Sequence, residues 1–360
     1  MKYLLCDAHG IGDCILILPV AKAIKKADPN AEIVVFTSSN KKKIGINRGI
    51  MKLQNYVDRF EYYSSKEILH TIYFTIRNSI KRFDYGIVVQ DYDNQGVSSI
   101  PSYIVRLCAK KTCGTKILSN KNIKYDIFIE REKGVCRDEY FRRALRIFGI
   151  EVDKVDTDLL DTNKVKANIP DINIDEAKQT VALVLGTAPV SLKTDEGVKT
   201  NDTKRWPYEN WIKLADKLSG QFNVLLLGGP REANEIKQLF NNILDKTIYN
   251  LAGSYKIEQS ISLLSLADVV VGADTGLMHC AGALGKPSIT LFGCTDHNEY
   301  LPFGKNSFYI QSDVDCSPCF GTVQSVLCEH KKCMSLISVT EVYNRILKVF
   351  ESIMDKETER

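Results

Sequence analysis

Four strand-turn-helix junctions in this 360-residue chain place acids, a lysine and glycines where an anion could be held. In Val269-Val270-Val271-Gly272-Ala273-Asp274-Thr275-Gly276-Leu277-Met278-His279-Cys280 an apolar strand runs through small residues into a helix, because Leu277, Cys280, Ala281 and Leu284 recur at helical steps. Unsatisfied N–H groups and the positive end of the helix dipole coincide at such a start, so a pyrophosphate suits it. Asp274 reads equally as the N-cap of that helix, and His279, one turn in, either reaches the same anion or packs. In Thr203-Lys204-Arg205-Trp206-Pro207-Tyr208 a proline suits the first turn of a helix. Lys204 is then either a point charge against phosphate or half of an exposed Lys-Arg pair. Leu225-Leu226-Leu227-Gly228-Gly229-Pro230-Arg231-Glu232 repeats strand, glycine turn and helix, with Glu232 spaced to take ribose hydroxyls. Gly10-Ile11-Gly12-Asp13 opens like a dinucleotide fingerprint, but Ile15 stands where the third glycine belongs. That argues against a dehydrogenase and leaves Asp13 as an acid at the start of the first helix.

The elements that must position these residues follow from periodicity. Strands are expected at Tyr3–Cys6, Glu32–Thr37, Tyr85–Gln90, Val181–Leu185, Asn223–Leu227, Asp268–Gly272 and Ser288–Phe292, with a further alternating segment at Tyr125–Glu130. Helical steps join Ile11, Cys14, Ile15, Leu18, Ala21 and Ile24, with a kink expected at Pro19. Further helices are expected around Glu139–Phe148 and Tyr208–Leu218, from Glu232 and from Thr275. Alternation of this kind predicts an α/β protein with parallel sheets, two doubly wound halves in tandem. The periodicity dissolves between Glu151 and Gln179, which reads as the interdomain linker. The domain boundary is set at 1–165 and 166–360, with the last helix able to pack back on the first half. Ligands in such sheets bind outside the carboxyl ends of the strands, which is where all four junctions lie.

Composition bounds the function. Hydrophobic residues make up 44% and charged residues 26%, as in ordinary globular proteins. A formal net charge of +4 does not mark a nucleic-acid binder. The runs Lys25-Lys26, Lys41-Lys42-Lys43 and Lys331-Lys332 read as solvated surface or, gathered on one face, as an approach to an anionic substrate or a phosphate-rich lipid surface. No stretch has the ~18 apolar residues of a membrane helix and no secretory leader is visible, so a cytoplasmic protein with at most peripheral membrane contact is expected. Eleven cysteines, mostly within apolar segments, fit a reducing compartment. Four of them, Cys316, Cys319, Cys328 and Cys333, have a spacing compact enough for a tetrahedral zinc or iron site, against the alternative of four free buried thiols.

Taken in order, Gly12-Asp13 with Leu18-Pro19, Lys204-Arg205-Trp206-Pro207, Gly228-Gly229-Pro230, Gly272 to His279, Leu291-Phe292-Gly293 with Thr295-Asp296, and Cys316-Ser317-Pro318-Cys319 with Cys333-Met334 resemble glycosyltransferase family 9, the ADP-heptose:lipopolysaccharide heptosyltransferase family. The resemblance runs over nearly the whole chain. It implies a GT-B fold, two Rossmann-like domains facing across a cleft, the N-terminal one for the acceptor and the C-terminal one for the nucleotide sugar. It implies Asp13 as general base, Lys204 as donor-phosphate lysine, Thr275 and Gly276 as the pyrophosphate turn, Asp274 and His279 beside the donor sugar and phosphates, Glu232 on the ribose and Thr187 as a further phosphate contact.

The implied reaction is inverting transfer of heptose from ADP-heptose to lipopolysaccharide core or a related surface glycan, at the inner face of the inner membrane. No catalytic cofactor is implied, and no Asp-x-Asp metal motif is placed for one. Some relatives that modify proteins hold a structural metal at similar cysteines, which keeps a structural zinc or iron open here. Two other readings stand beside this one: a protein O-heptosyltransferase acting on an autotransporter adhesin, and a sugar-nucleotide-binding module without turnover. The chain departs from the family in the long segment Thr187–Thr203 and in Cys294, where a proline is common. Oligomeric state is written in no motif.

Overall fold

The computed structural model describes residues 1–6, 10–38, 41–63, 67–80, 82–89, 100–115, 125–130, 132–151, 158–194, 197–240 and 247–358. The chain divides into two units, Met1–Lys164 and Val165–Arg360. The N-terminal unit is built on β1 (Lys2–Cys6), β2 (Glu32–Ser38), β3 (Arg59–Tyr63), β4 (Phe83–Val88), β5 (Ala109–Thr115) and β6 (Ile127–Ile129), all parallel, in the order β3-β2-β1-β4-β5-β6. The C-terminal unit repeats that order with β7 (Thr180–Val184), β10 (Asn223–Leu227), β11 (Ile248–Asn250), β12 (Val269–Ala273), β13 (Ser288–Phe292) and β14 (Ser307–Gln311), as β11-β10-β7-β12-β13-β14. An antiparallel hairpin, β8 (Val190–Thr194) and β9 (Gly197–Asn201), stands apart from both sheets. Each sheet therefore reverses direction beside its first strand, between β1 and β4 and between β7 and β12. Such a switch point leaves a crevice at the carboxyl edge.

The strands β7, β10, β12 and β13 are buried at every position, which is why they contain continuous apolar runs such as Val-Leu-Leu in β10 and Val-Val-Val in β12. In the C-terminal unit the core joins Val181, Leu183, Leu226, Val271 and Leu291 of the sheet to Trp206, Trp211 and Leu214 around the helix Tyr208–Leu218. The last helix, Val339–Thr358, commits Val342, Ile346, Val349 and Phe350 to the same core, and Phe350 stacks on Phe222 at 5.0 Å.

The helix Ile11–Ala27 runs as one element with Pro19 inside it. Several elements differ from expectation. The strand expected at Tyr85–Gln90 begins two residues earlier at Phe83 and ends at Val88, and Gln90 lies outside the described residues. Strands β3, β5, β11 and β14 were hidden by polar or mixed sequences. Part of the stretch read as a linker is docked: Leu159, Leu160 and Val165 are buried, the Asp161 amide donates to Leu53 O at 2.7 Å, and Lys164 Nζ donates to Gln54 O at 2.8 Å. Its far end is tied to the other sheet, where the Asn223 side chain donates to Asp175 O and Lys178 O. Residues 152–157 of that stretch lie outside the described residues.

Trp206 is fully buried, packs edge-on against Trp211 at 4.7 Å, and donates its indole N–H to Ile337 O at 3.0 Å. Trp206→Phe removes that donor, orphans the Ile337 carbonyl and leaves a small void. It is expected to lower the unfolding free energy by about 1–3 kcal/mol, read as a shift in the urea midpoint at unchanged slope.

Candidate functional site

All six strands of the C-terminal sheet are parallel, so the loops after β7, β10, β12 and β13 emerge at one edge. Beyond β12 come Asp274 and Thr275, then the helix Gly276–Ala283 with Thr275 at its N-cap. Thr275 makes no side-chain cap hydrogen bond, and the first turn contains no acidic side chain. The N-terminal dipole end is thus left to be met by something else. Gly272 permits the close approach of strand and helix, since a Cβ there would stand 2.6 Å from Met278 Sδ and 2.9 Å from Val184 Cβ.

Asp274 is not the N-cap of this helix. Its carboxylate, 6% exposed, accepts a charged hydrogen bond from Lys204 Nζ at 2.7 Å across 70 positions of sequence. Lys204 is itself only 15% exposed, so the alternative of a solvated Lys-Arg pair does not hold for it. Its ammonium lies over the rings of Phe320 at 4.7 Å and Tyr300 at 5.8 Å, which pack edge-on against each other. The segment is pinned on both sides: Thr203 is buried with its hydroxyl 3.4 Å from Cys294 Sγ, and Trp206 is the core anchor described above. An ammonium has three donors, and Asp274 takes one. Arg205 is used differently, bridging Asp202 and Glu235.

Glu232 is buried beside the glycine turn after β10, and its Oε2 accepts from the Gly229 amide at 3.1 Å. Gly186, after β7, makes room for it: a Cβ there would come within 3.1 Å of Glu232 Oε2 and 3.2 Å of the Gly229 nitrogen. Thr187 follows, 5% exposed, with a buried hydroxyl that has no hydrogen-bond partner. Thr295, after β13, has the same property at full burial. The two unsatisfied hydroxyls lie in the loops that follow β7 and β13, the strands on either side of β12. Buried hydroxyls are costly to leave unpaired, and two of them flanking a helix start suit a ligand rich in acceptor oxygens. His279 is buried in the first turns of the same helix.

In the N-terminal unit, Asp13 occupies the first turn of the helix Ile11–Ala27, half-buried, and its Oδ2 accepts from the Gly10 amide at 2.6 Å. The acid therefore caps its own helix and is held in one orientation by that bond. Residues 7–9, which join β1 to this helix, lie outside the described residues.

The framing residues Phe320 and Tyr300 had no local signal in the sequence. Phe320 sits in the loop between β14 and the short helix Val323–Leu327, and its amide and that of Cys319 both donate to Cys294 O at 2.8 and 2.9 Å. Val190 and Leu192 of β8 pack with Cys294, Val326, Cys319 and Phe320. The segment Thr187–Thr203 is thus in part a hairpin that braces this loop. Asp296 caps the short helix His297–Tyr300 by accepting from the Asn298 amide at 2.9 Å, and so orients Tyr300.

The cysteine stretch is organised without a cage. Among the described residues no three His, Cys, Asp or Glu side chains converge as a metal-holding group, so the site expected at Cys316, Cys319, Cys328 and Cys333 finds no support in their arrangement. All four are free thiols. Burial pushes Cys333 up to about 12 and Cys319 to about 11, which keeps both protonated. The loop is held instead by Ser317 Oγ donating to Gly293 O, Ser312 Oγ to Cys333 O, and the Asn201 amide to Cys328 O, at 2.6, 2.7 and 2.7 Å.

Two doubly wound sheets of identical strand order, each with its ligand-side loops at the switch point, define the GT-B class of α/β proteins. Residues 169–330 match the family model of glycosyltransferase family 9 (heptosyltransferase). Over 129 residues it is 34% identical to lipooligosaccharide heptosyltransferase 2 of Haemophilus influenzae, a match covering 35% of this chain and 36% of that protein. The chain thus spans about a third of the length of that curated relative. Over almost its whole length it superposes on E. coli heptosyltransferase WaaC with ADP, at TM-score 0.72 and 19% identity, covering 97% of this chain and 100% of that one. It superposes likewise on the glycosyl transferase family 9 structure from Veillonella parvula, at TM-score 0.75 and 15% identity, covering 98% and 97%. These likenesses show the fold.

The Lys204–Asp274 pair has a measurable worth. Asp274→Asn and Lys204→Met each leave a largely buried partner uncompensated and are each expected to cost about 1–3 kcal/mol in urea unfolding. The double variant is expected to lose less than the sum of the two, and additive losses would show that the pair is not coupled.

Proposed function

We propose that the chain is an inverting glycosyltransferase that moves a heptose from ADP-heptose to lipopolysaccharide core or a related surface glycan. The observation that carries this reading is the carboxyl edge of the C-terminal sheet. There the Lys204–Asp274 pair and an uncapped helix start meet at the end of β12, and the loops after β7 and β13 carry the unsatisfied Thr187 and Thr295 hydroxyls. That set suits a diphosphate without calling on a metal ion. Glu232 on the neighbouring loop suits the ribose hydroxyls, as acids do in doubly wound nucleotide sites. Support for an adenine nucleotide comes from the WaaC structure, which holds ADP, and support for heptose and core acceptor from the names of the curated relatives.

In the proposed reaction the oxygen of an acceptor hydroxyl forms a bond to the anomeric carbon from the face opposite the leaving group. The bond from that carbon to the diphosphate oxygen breaks, and its electron pair leaves with ADP. The acceptor proton passes to the Asp13 carboxylate. Lys204 and the amides at Thr275-Gly276 carry the charge that develops on the departing diphosphate, and Asp274 keeps Lys204 in place. The N-terminal unit serves the acceptor and the C-terminal unit the donor.

Asp13→Asn retains an acceptor for the Gly10 amide and removes the base. Transfer is expected to fall by at least about a hundredfold while melting temperature and calorimetric donor affinity stay near wild type. Lys204→Ala is expected to weaken donor binding and slow transfer together. The assay offers ADP-heptose with either heptose-deficient core glycolipid or an adhesin passenger domain. Transfer to the protein alone would move the acceptor to the second class, and no transfer to either, with donor still bound, would leave a binding module. Wild-type rates in Asp13→Asn would take Asp13 out of the mechanism.

A further inference from the structure

In the C-terminal sheet the strand order sets out the ligand edge as a row of positions. Glu232 follows β10, Gly186 and Thr187 follow β7, Asp274 and Thr275 follow β12, and the segment 294–300 follows β13, the next strand in the same direction. With ribose at Glu232 and the diphosphate at the helix start beyond β12, a nucleoside-diphosphate sugar still has its third part to place. Continuing along the edge brings that part to the end of β13.

What stands there is aromatic. Tyr300 ends the short helix after β13, and Phe320 is tied to the same strand end, because its amide and that of Cys319 donate to Cys294 O and Ser317 Oγ donates to Gly293 O. The two rings meet edge-on at 5.7 Å, beside the Lys204 ammonium that Asp274 holds at the end of β12. Both are half-buried, whereas Trp206, Trp211 and Phe292 of the same unit are fully buried. The lysine accounts for Phe320 at 4.7 Å, but Tyr300 at 5.8 Å is at the limit of a cation–π contact. Val190 and Leu192 pack with Phe320, so its ring is already ordered before any ligand arrives.

We infer that Phe320 and Tyr300 form the wall of the donor's sugar subsite, packed against the C–H face of a pyranose whose diphosphate lies at Thr275-Gly276. A pyranose carries hydroxyls around its rim and C–H groups on its faces, and partly open aromatic rings take the latter while polar groups nearby orient the former. This inference rests on the transferase reading and names where the third component of that donor binds. It assigns the two rings to the sugar, which separates their loss from the loss of Lys204 or Glu232.

Affinities of the full-length protein for ADP and for ADP-heptose are measured by titration calorimetry without acceptor. Phe320→Leu and Tyr300→Leu are each expected to weaken ADP-heptose about five- to tenfold and to leave ADP within about twofold of wild type. Phe320→Tyr and Tyr300→Phe keep the rings and are expected to keep both affinities. Equal losses for the two ligands would make the rings supports of Lys204 alone and overturn the inference, as would leucine variants that bind ADP-heptose like wild type. Should circular dichroism show Phe320→Leu unfolded, Tyr300→Leu decides by the same pair of titrations. Wild type that binds neither ligand would remove the donor site itself, and this subsite with it.

Discussion

The ion pair between Lys204 and Asp274 is the constraint around which the C-terminal site is arranged. A lysine with 15% of its side chain exposed must have a counter-charge, and the carboxylate must have a cation in turn. That mutual need fixes the segment before the helix Tyr208–Leu218 against the end of β12. Thr203 and Trp206, buried on either side, remove the slack that would let the pair drift. Phe320 and Tyr300 limit water on the open side of the ammonium, which strengthens its field toward whatever anion approaches.

The N-terminal acid is held in a contrasting way. The Asp13 carboxylate accepts from the backbone amide of Gly10, three residues earlier, at its own helix start. The contrast between a cation-locked and an amide-locked acid follows from where each lies: Asp274 at the end of a central strand under neighbouring loops, Asp13 in the first turn of a half-buried helix.

Strand identity was legible wherever a segment is buried on both faces. Asn223–Leu227 and Ser288–Phe292 are continuous apolar runs, and no other element accounts for them. The strands β3, β5 and β14, with sequences such as Arg-Phe-Glu-Tyr-Tyr, carry polar residues on partly open positions and give no such run. The site was legible residue by residue but not in its partnerships. Lys204 and Asp274 were each recognisable from the turn that carries them, yet nothing local says that they touch. Phe320 was invisible because its placement depends on two hydrogen bonds to Cys294 O and on packing against Val190 and Leu192 of a hairpin that reads as a polar loop. The cysteine spacing suggested a metal because spacing alone does not say whether the thiols converge in ligand geometry, and among the described residues no three such side chains form a metal-holding group.

The shared strand order of the two sheets bears on how the chain is made. In each half the strand that leaves the ribosome first becomes the central one. The next two strands add successively to one side of it, and the last three to the other. Each new strand therefore meets an edge that already exists, and none has to be inserted between two finished neighbours. Growth outward from the first-synthesised strand lets the front half close its sheet while the back half is still being translated, so each hydrophobic core is assembled from one contiguous half of the chain.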